Sequence, residues 1–220
     1  MGLKKLGYSP AEIMDAPKKQ EAREELYSIL KRERKGTLLT ISGPRAHETI
    51  TAMRYGFDIS RIICVDENAG TLASHTKDLI KRLNCTTAEK VFLLKSFQRY
   101  TGFVSDVSIK LARQGRLIQV AHLDFCAPIF ALTPGSVAIE IPKFIGSGIL
   151  QEGLLAITVE SGHDPGCYDN ETRYRRMNCL VNQRIETGVP RTAKIVKEGS
   201  YTNPRSNNTM LWGVFQIRRK

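Results

Sequence analysis

Five short apolar runs, each followed by a segment with helical spacing, constrain this chain more than any other feature of its sequence. The runs are Thr37–Ser42, Arg61–Asp66, Val91–Leu94, Arg116–Asp124 and Leu154–Val159. A strand that is apolar without alternation is buried on both faces. Strands that alternate with helices pair in parallel, because each crossover has the length to return to the same edge of the sheet. The intervening segments supply those helices: His47–Tyr55, Ala69–Leu83, Val104–Gln114 stopped by Gly115, and Pro134–Leu150 broken by Pro142. The pattern then changes. Thr172–Thr187 reads as a basic helix, and Thr192–Tyr201 and Met210–Arg218 read as strands joined by a polar loop, a hairpin signal. The expected architecture is α/β: a mostly parallel seven-stranded sheet, a C-terminal antiparallel hairpin, and helices on both faces.

Ahead of this unit, Ser9-Pro10-Ala11-Glu12 has the spacing of a capped helix start. A second helix is expected over Ala16–Arg34, with Leu26, Ile29 and Leu30 on one face and Gly36 ending it. Residues 1–35 are thus expected to form an N-terminal helical extension, and residues 36–220 one domain. No run of about 18 apolar residues is present to span a bilayer. The basic N-terminus lacks the apolar core of a signal peptide, so a cytoplasmic location is expected. Five widely spaced cysteines (Cys64, Cys85, Cys126, Cys167, Cys179) and four histidines (His47, His75, His122, His163) form no metal-ligand spacing. Reduced, structural cysteines are the expectation.

Net charge is +11, and residues 173–220 hold eleven Lys and Arg against two Glu. Such one-sided charge is the electrostatic footprint of phosphate binding. Nucleic acid is therefore the expected partner, through Arg173, Arg175, Arg176, Arg184, Arg191, Lys194, Arg205, Arg218 and Arg219; a solvated basic face is the alternative.

In open parallel sheets ligands bind beyond the carboxyl ends of the strands, where strand order reverses. That selects the loops after Ser42, Asp66, Leu94 and Asp124. Asp66 closes the second strand about 20 residues after the first loop, where a carboxylate can accept from ribose hydroxyls or cap the helix starting near Ala69. The first loop, Gly43-Pro44-Arg45-Ala46-His47-Glu48, has one glycine, and Pro44 has no N–H to offer. A pyrophosphate cofactor wants more glycine than this. Asp124 and Phe125, at the end of the fourth strand, suit a substrate pocket; equally, Asp124 could cap the next segment and Phe125 could be core. Cys126 has no visible local base to make it a nucleophile. His122, within a strand, reads as core. Neither a phosphate-binding P-loop nor a hydrolase elbow is present.

This order of elements resembles the class I S-adenosylmethionine-dependent methyltransferases, whose Rossmann-like sheet ends in the antiparallel pair read here at Thr192–Tyr201 and Met210–Arg218. The resemblance covers roughly residues 36 to 220 and lies in topology. Its loose motifs are similar to those of divergent viral or phage members, for which the location would be the host cytoplasm. The resemblance implies S-adenosylmethionine as cofactor, a ligand without phosphate that tolerates the poor glycine content of the first loop. It places Gly43, Pro44 and Glu48 at the methionine end, Asp66 and Glu67 at the ribose, and Ser96 and Phe97 on the adenine side. Glu48 could meet the ammonium or sulfonium, or complement its own helix dipole. Asp124 and Phe125 would take the catalytic position, although Asp124-Phe125-Cys126-Ala127-Pro128 is not the Asp-Pro-Pro-Tyr form of amino-methylating enzymes. A ribose 2′-O enzyme would show a Lys-Asp-Lys-Glu tetrad; Asp124 could supply its Asp, but the fifth strand, ending Thr158-Val159-Glu160, supplies no Lys. The implied function is methyl transfer to RNA or DNA. The alternative is a catalytically degenerate protein on the same fold that binds nucleic acid or a viral or polymerase assembly. A nucleotide-dependent oxidoreductase ranks last, because the hairpin would then be unexplained.

Overall fold

Alternate residues of each central strand enter opposite cores, and this places the helices. A computed structural model describes residues 17–83, 86–129, 133–160, 169–182, 191–202 and 209–219, of which 126–128 and 191 through the backbone alone. The Ser9 helix start, His163, Cys85, Cys167, Arg184 and Arg205 lie outside the described residues. The strands are β1 (Leu38–Ile41), β2 (Ile62–Asp66), β3 (Gln98–Thr101), β4 (Ile118–Pro128), β5 (Leu150–Glu160), β6 (Arg191–Thr202) and β7 (Thr209–Arg219). They form one sheet in the order β3-β2-β1-β4-β5-β7-β6. β7 runs antiparallel to both β5 and β6, while β1 to β5 pair in parallel. The expected α/β sheet and its closing hairpin are therefore present.

The helices are α1 (Pro17–Leu30, extended by a 3-10 turn at Lys31–Glu33), α2 (His47–Arg54), α3 (Ala69–Arg82), α4 (Thr87–Ser96), α5 (Val104–Arg113), α6 (Val137–Gly146) and α7 (Asn170–Asn182). Leu38, Ile62, Val120, Leu154 and Val214 pack with α1 to α4 on one face. Leu39, Ile63, Leu123, Leu155 and Phe215 pack with α5 to α7 on the other. The described part of the segment expected as an N-terminal extension, residues 17–35, belongs to this packing: Leu26, Tyr27 and Leu30 of α1 are buried against β1 and β4 neighbours.

One strand differs from expectation. Val91–Leu94 is helix, within α4, and the third strand is the polar segment Gln98–Thr101. A capping box starts α4: Thr86 Oγ1 accepts from the Glu89 N–H at 3.3 Å, and Glu89 Oε2 accepts from the Thr86 N–H at 2.8 Å. Of the apolar run only Leu93 is buried; Val91, Phe92 and Leu94 are 48%, 62% and 43% exposed, so the run is no strand core. Nor does Pro142 break α6, which runs through it at the cost of one backbone bond, held by the burial of Val137, Ile141, Phe144 and Ile145. β5 begins at Leu150, earlier than expected, because Gly153 accommodates a bulge opposite Gln119. Its φ is +135°, and a Cβ there would lie 1.9 Å from the Gln119 carbonyl oxygen, so only glycine fits.

Candidate active site

Strand order reverses at β1, between β2 and β4, and a cavity of about 330 Å³ opens above the carboxyl ends of those strands. Gly43 lines it from the loop after β1, Asp66 and Glu67 from the end of β2, and Asp124 and Phe125 from β4. With Glu48 of α2, which also lines it, the fold brings together six of the expected site residues. Pro44 sits beside Gly43 but does not line the cavity.

Ser96 and Phe97 are a correction. Because Val91–Leu94 is helix, these two residues precede β3 and stand at the opposite end of the sheet from the crevice. Phe97 is buried and stacks on His75, with ring centroids 5.9 Å apart. The loop that does follow β3 brings Gly102 and Phe103 to the cavity. Phe103 is half-buried and is an aromatic residue of the cavity lining. Gly135 lies against that ring with φ +80°; a Cβ would meet Phe103 at 2.7 Å.

Asp66 does not cap α3. Asn68 does so, accepting from the Gly70 N–H at 2.7 Å, while Asp66 Oδ1 accepts from the Asn68 N–H at 2.8 Å. Burial raises the Asp66 carboxyl above its ordinary value, opposed by that N–H. One carboxylate oxygen is thereby fixed by the backbone while the residue lines the cavity.

The single-glycine loop is held from behind. His75 Nδ1–H donates to the Gly43 carbonyl at 2.9 Å, leaving Nε2 to accept from the Thr49 hydroxyl at 2.9 Å. Asp78 Oδ2 accepts from the Ala46 N–H at 3.0 Å, capping α2. Backbone shape that glycines would otherwise permit is imposed here by side chains of α3. Beneath it Cys64 is buried, and burial pushes its thiol up to about 11, so it is inert at neutral pH.

A row of buried and part-buried polar groups runs from the cavity wall into the core behind it. Lys19, Arg23 and Tyr27 fall on one stripe of α1, each four residues after the last. Lys19 Nζ donates to Asp124 Oδ2 at 2.9 Å. Arg23 Nη2 and Nε donate to Glu48 Oε1 at 2.9 and 3.2 Å. Tyr27 shares a hydrogen bond with His122 Nδ1 at 3.3 Å. The expected core role of His122 therefore holds, with a polar partner. Burial alone would raise the Glu48 carboxyl; the Arg23 guanidinium overcomes this and holds it well below the carboxylate range. Glu48 Oε2 and Asp124 Oδ1 are buried in the cavity wall with no partner among the described residues. Glu140 of α6 also lines the cavity, its Oε2 accepting from the Ser105 N–H of α5 at 3.0 Å.

Burial lowers both His75 and His122 below the ordinary imidazole value. A group depressed on folding contributes stability above its unfolded value and loses it as pH falls toward the folded one. Thermal midpoint is therefore expected to be level from pH 8 to 7 and to fall below about pH 6.5, before the carboxylates titrate. A midpoint unchanged from pH 7 to 5 would mean that neither imidazole is buried as described.

The expected nucleic-acid contacts separate into groups. Arg173, Arg175 and Arg176 are on α7, whose Tyr174 hydroxyl donates to the Gly199 carbonyl. Arg175 pairs with Glu171. Lys194, Arg218 and Arg219 lie toward the start of β6 and the end of β7, with the backbone of Arg191 opposite Arg219.

No protein-family model matches the sequence, and no curated protein matches it. Solved structures do. A protein from Streptococcus mutans designated a SAM-dependent methyltransferase matches with TM-score 0.62 and 14% identity, over 90% of this chain and 48% of its own. A structure of a protein designated a methyltransferase, complexed with SAH, matches with the same score and identity, over 90% and 49%. A protein from Pyrococcus horikoshii designated an RNA methyltransferase matches with TM-score 0.57 and 11% identity, over 96% and 89%. This chain spans about half the length of the first two. The chain has the Rossmann-like α/β fold of SAM-dependent methyltransferases.

Proposed function

We propose that this chain binds S-adenosylmethionine in the crevice above β1, β2 and β4 and transfers its methyl group to a nucleic acid. The observation that carries this reading is the donor set of one cavity: the Asp66 carboxylate at the end of β2, the Phe103 ring, and the two buried carboxylate oxygens of Glu48 and Asp124 that no described group satisfies. Unsatisfied buried acceptors call for a ligand that carries donors or positive charge. An adenosine with an attached ammonium and sulfonium fits them. When bound, that cofactor supplies an electrophilic methyl group. Asp66 would accept from the ribose hydroxyls, Phe103 would stack on the adenine, and Glu48 would accept from the ammonium. Asp124, held by Lys19, would orient the acceptor atom. Methyl transfer is an in-line displacement that gains mainly from orientation, so no further group is required of the chain. Nucleic acid as acceptor is supported by the basic C-terminal quarter and by the RNA methyltransferase among the matched structures.

Calorimetry with S-adenosylhomocysteine tests the cofactor half. Binding is expected in the wild type and about ten- to hundredfold weaker in Asp66→Ala, the loss of charge-assisted hydrogen bonds. No heat and no thermal shift would leave the second reading, a non-catalytic nucleic-acid-binding protein on this fold, which the internal pairing of Lys19 with Asp124 favours. Transfer of tritiated methyl to pools of RNA, DNA and protein tests the acceptor half.

A further inference from the structure

A shallow groove of about 590 Å³ lies on the α1 face of the outer strands, lined by Arg32, Lys194 and Arg218 with Thr192, Gln216 and Val196 between them. Register fixes where it is. Asp124 is level with Thr158, Trp212 and Gly199 across the sheet. Lys194 and Arg218, at the Gln216 and Thr192 rungs, stand five to seven residues back from Gly199. At about 3.3 Å per residue and about 4.8 Å per strand, that is about 25 Å from Asp124, toward the opposite end of the sheet.

Some cations outside the groove are neutralised within the chain. Arg82 pairs with Asp78, Lys197 with Glu25 and Arg175 with Glu171. Among the described residues no carboxylate lines the groove or pairs with Arg32, Lys194 or Arg218. The sheet face is also left open there, with Val196 exposed between the cations. Unpaired cations around an uncovered sheet surface favour a ligand that brings regularly spaced anions.

We infer that this groove is a second nucleic-acid site, which grips the phosphate backbone of the acceptor about 25 Å from the nucleotide being methylated. The inference rests on the reading of the acceptor as nucleic acid. At about 3.4 Å per base pair, about seven base pairs separate the two sites. Long acceptors therefore reach both, and a tetranucleotide held in the crevice does not extend to the groove.

The experiment compares wild type with the double variant Lys194→Glu, Arg218→Glu, whose thermal midpoint should not change because both side chains are exposed. Fluorescence anisotropy follows a 20-base-pair RNA, a 20-base-pair DNA and a tetranucleotide across a salt series. For at least one duplex, the variant is expected to bind about ten- to hundredfold more weakly at 0.1 M salt, with the log–log salt slope smaller by about two. Tetranucleotide binding and S-adenosylhomocysteine affinity should be unchanged. An unchanged duplex affinity and slope would overturn the site, as would an equal loss for the tetranucleotide. Equal charge-dependent binding of poly-glutamate or of phosphatidylserine vesicles would also overturn it, as a non-specific cationic face. If no methyl reaches any nucleic acid but duplex binding still depends on these residues, the groove stands and the catalytic reading falls. If methyl is transferred and duplex binding is unaffected by the variant, the groove falls and the catalytic reading stands.

Discussion

Arg23→Leu is expected to destabilise the chain by about 3–5 kcal/mol, because it strands the Glu48 carboxylate in the wall of the crevice. Both side chains are nearly inaccessible, at 2% and 3% exposure, so water cannot replace the guanidinium. Urea unfolding measures the loss as a shift in midpoint at constant slope. The wild-type contribution follows from the Glu48 carboxyl being held to about 2. It is complete above about pH 4.5 and is lost as pH falls toward 2. A companion, Arg23→Leu with Glu48→Leu, should recover much of the deficit, since removing both charges leaves nothing buried without a partner. A deficit under about 1 kcal/mol in the single variant would place this pair in solvent.

Asp124→Asn is expected to slow methyl transfer by about a hundred- to a thousandfold while S-adenosylhomocysteine affinity stays within about threefold. The substitution keeps the shape and removes the charge that Lys19 Nζ approaches at 2.9 Å. The loss should fall on kcat at saturating acceptor, because a group that orients the acceptor acts mainly in the transition state. Lys19→Met should lower kcat as well, through the same carboxylate. Full turnover in Asp124→Asn would reduce the pair to a tether for α1.

What could be read before folding was what depends on neighbours in the chain. Strand-length apolar runs at Arg61–Asp66 and Leu154–Val159, the hairpin and the acidic end of β2 are local patterns, and all four are present, with β5 starting earlier, at Leu150. The misplaced third strand was also locally decidable. Thr86-Thr87-Ala88-Glu89 has capping-box spacing, and it outweighs the apolar content of Val91–Leu94. As helix, Val91–Leu94 sends Ser96 and Phe97 to the far end of the sheet, and the loop after β3 brings Gly102 and Phe103 to the crevice instead.

The order of strands and helices, and the carboxyl edge on which a ligand would sit, were determined by the sequence itself, because periodicity and turn chemistry act over a few residues. Tertiary structure alone decided which groups meet at that edge. Lys19 reaches Asp124 across 105 positions, and His75 supports Gly43 from 32 positions away. Those distances close only when parallel pairing and helix packing bring α1 and α3 against the sheet. The reversed run of β7 likewise carries Arg218 away from the crevice, so charge adjacent in sequence divides between two ends of the molecule.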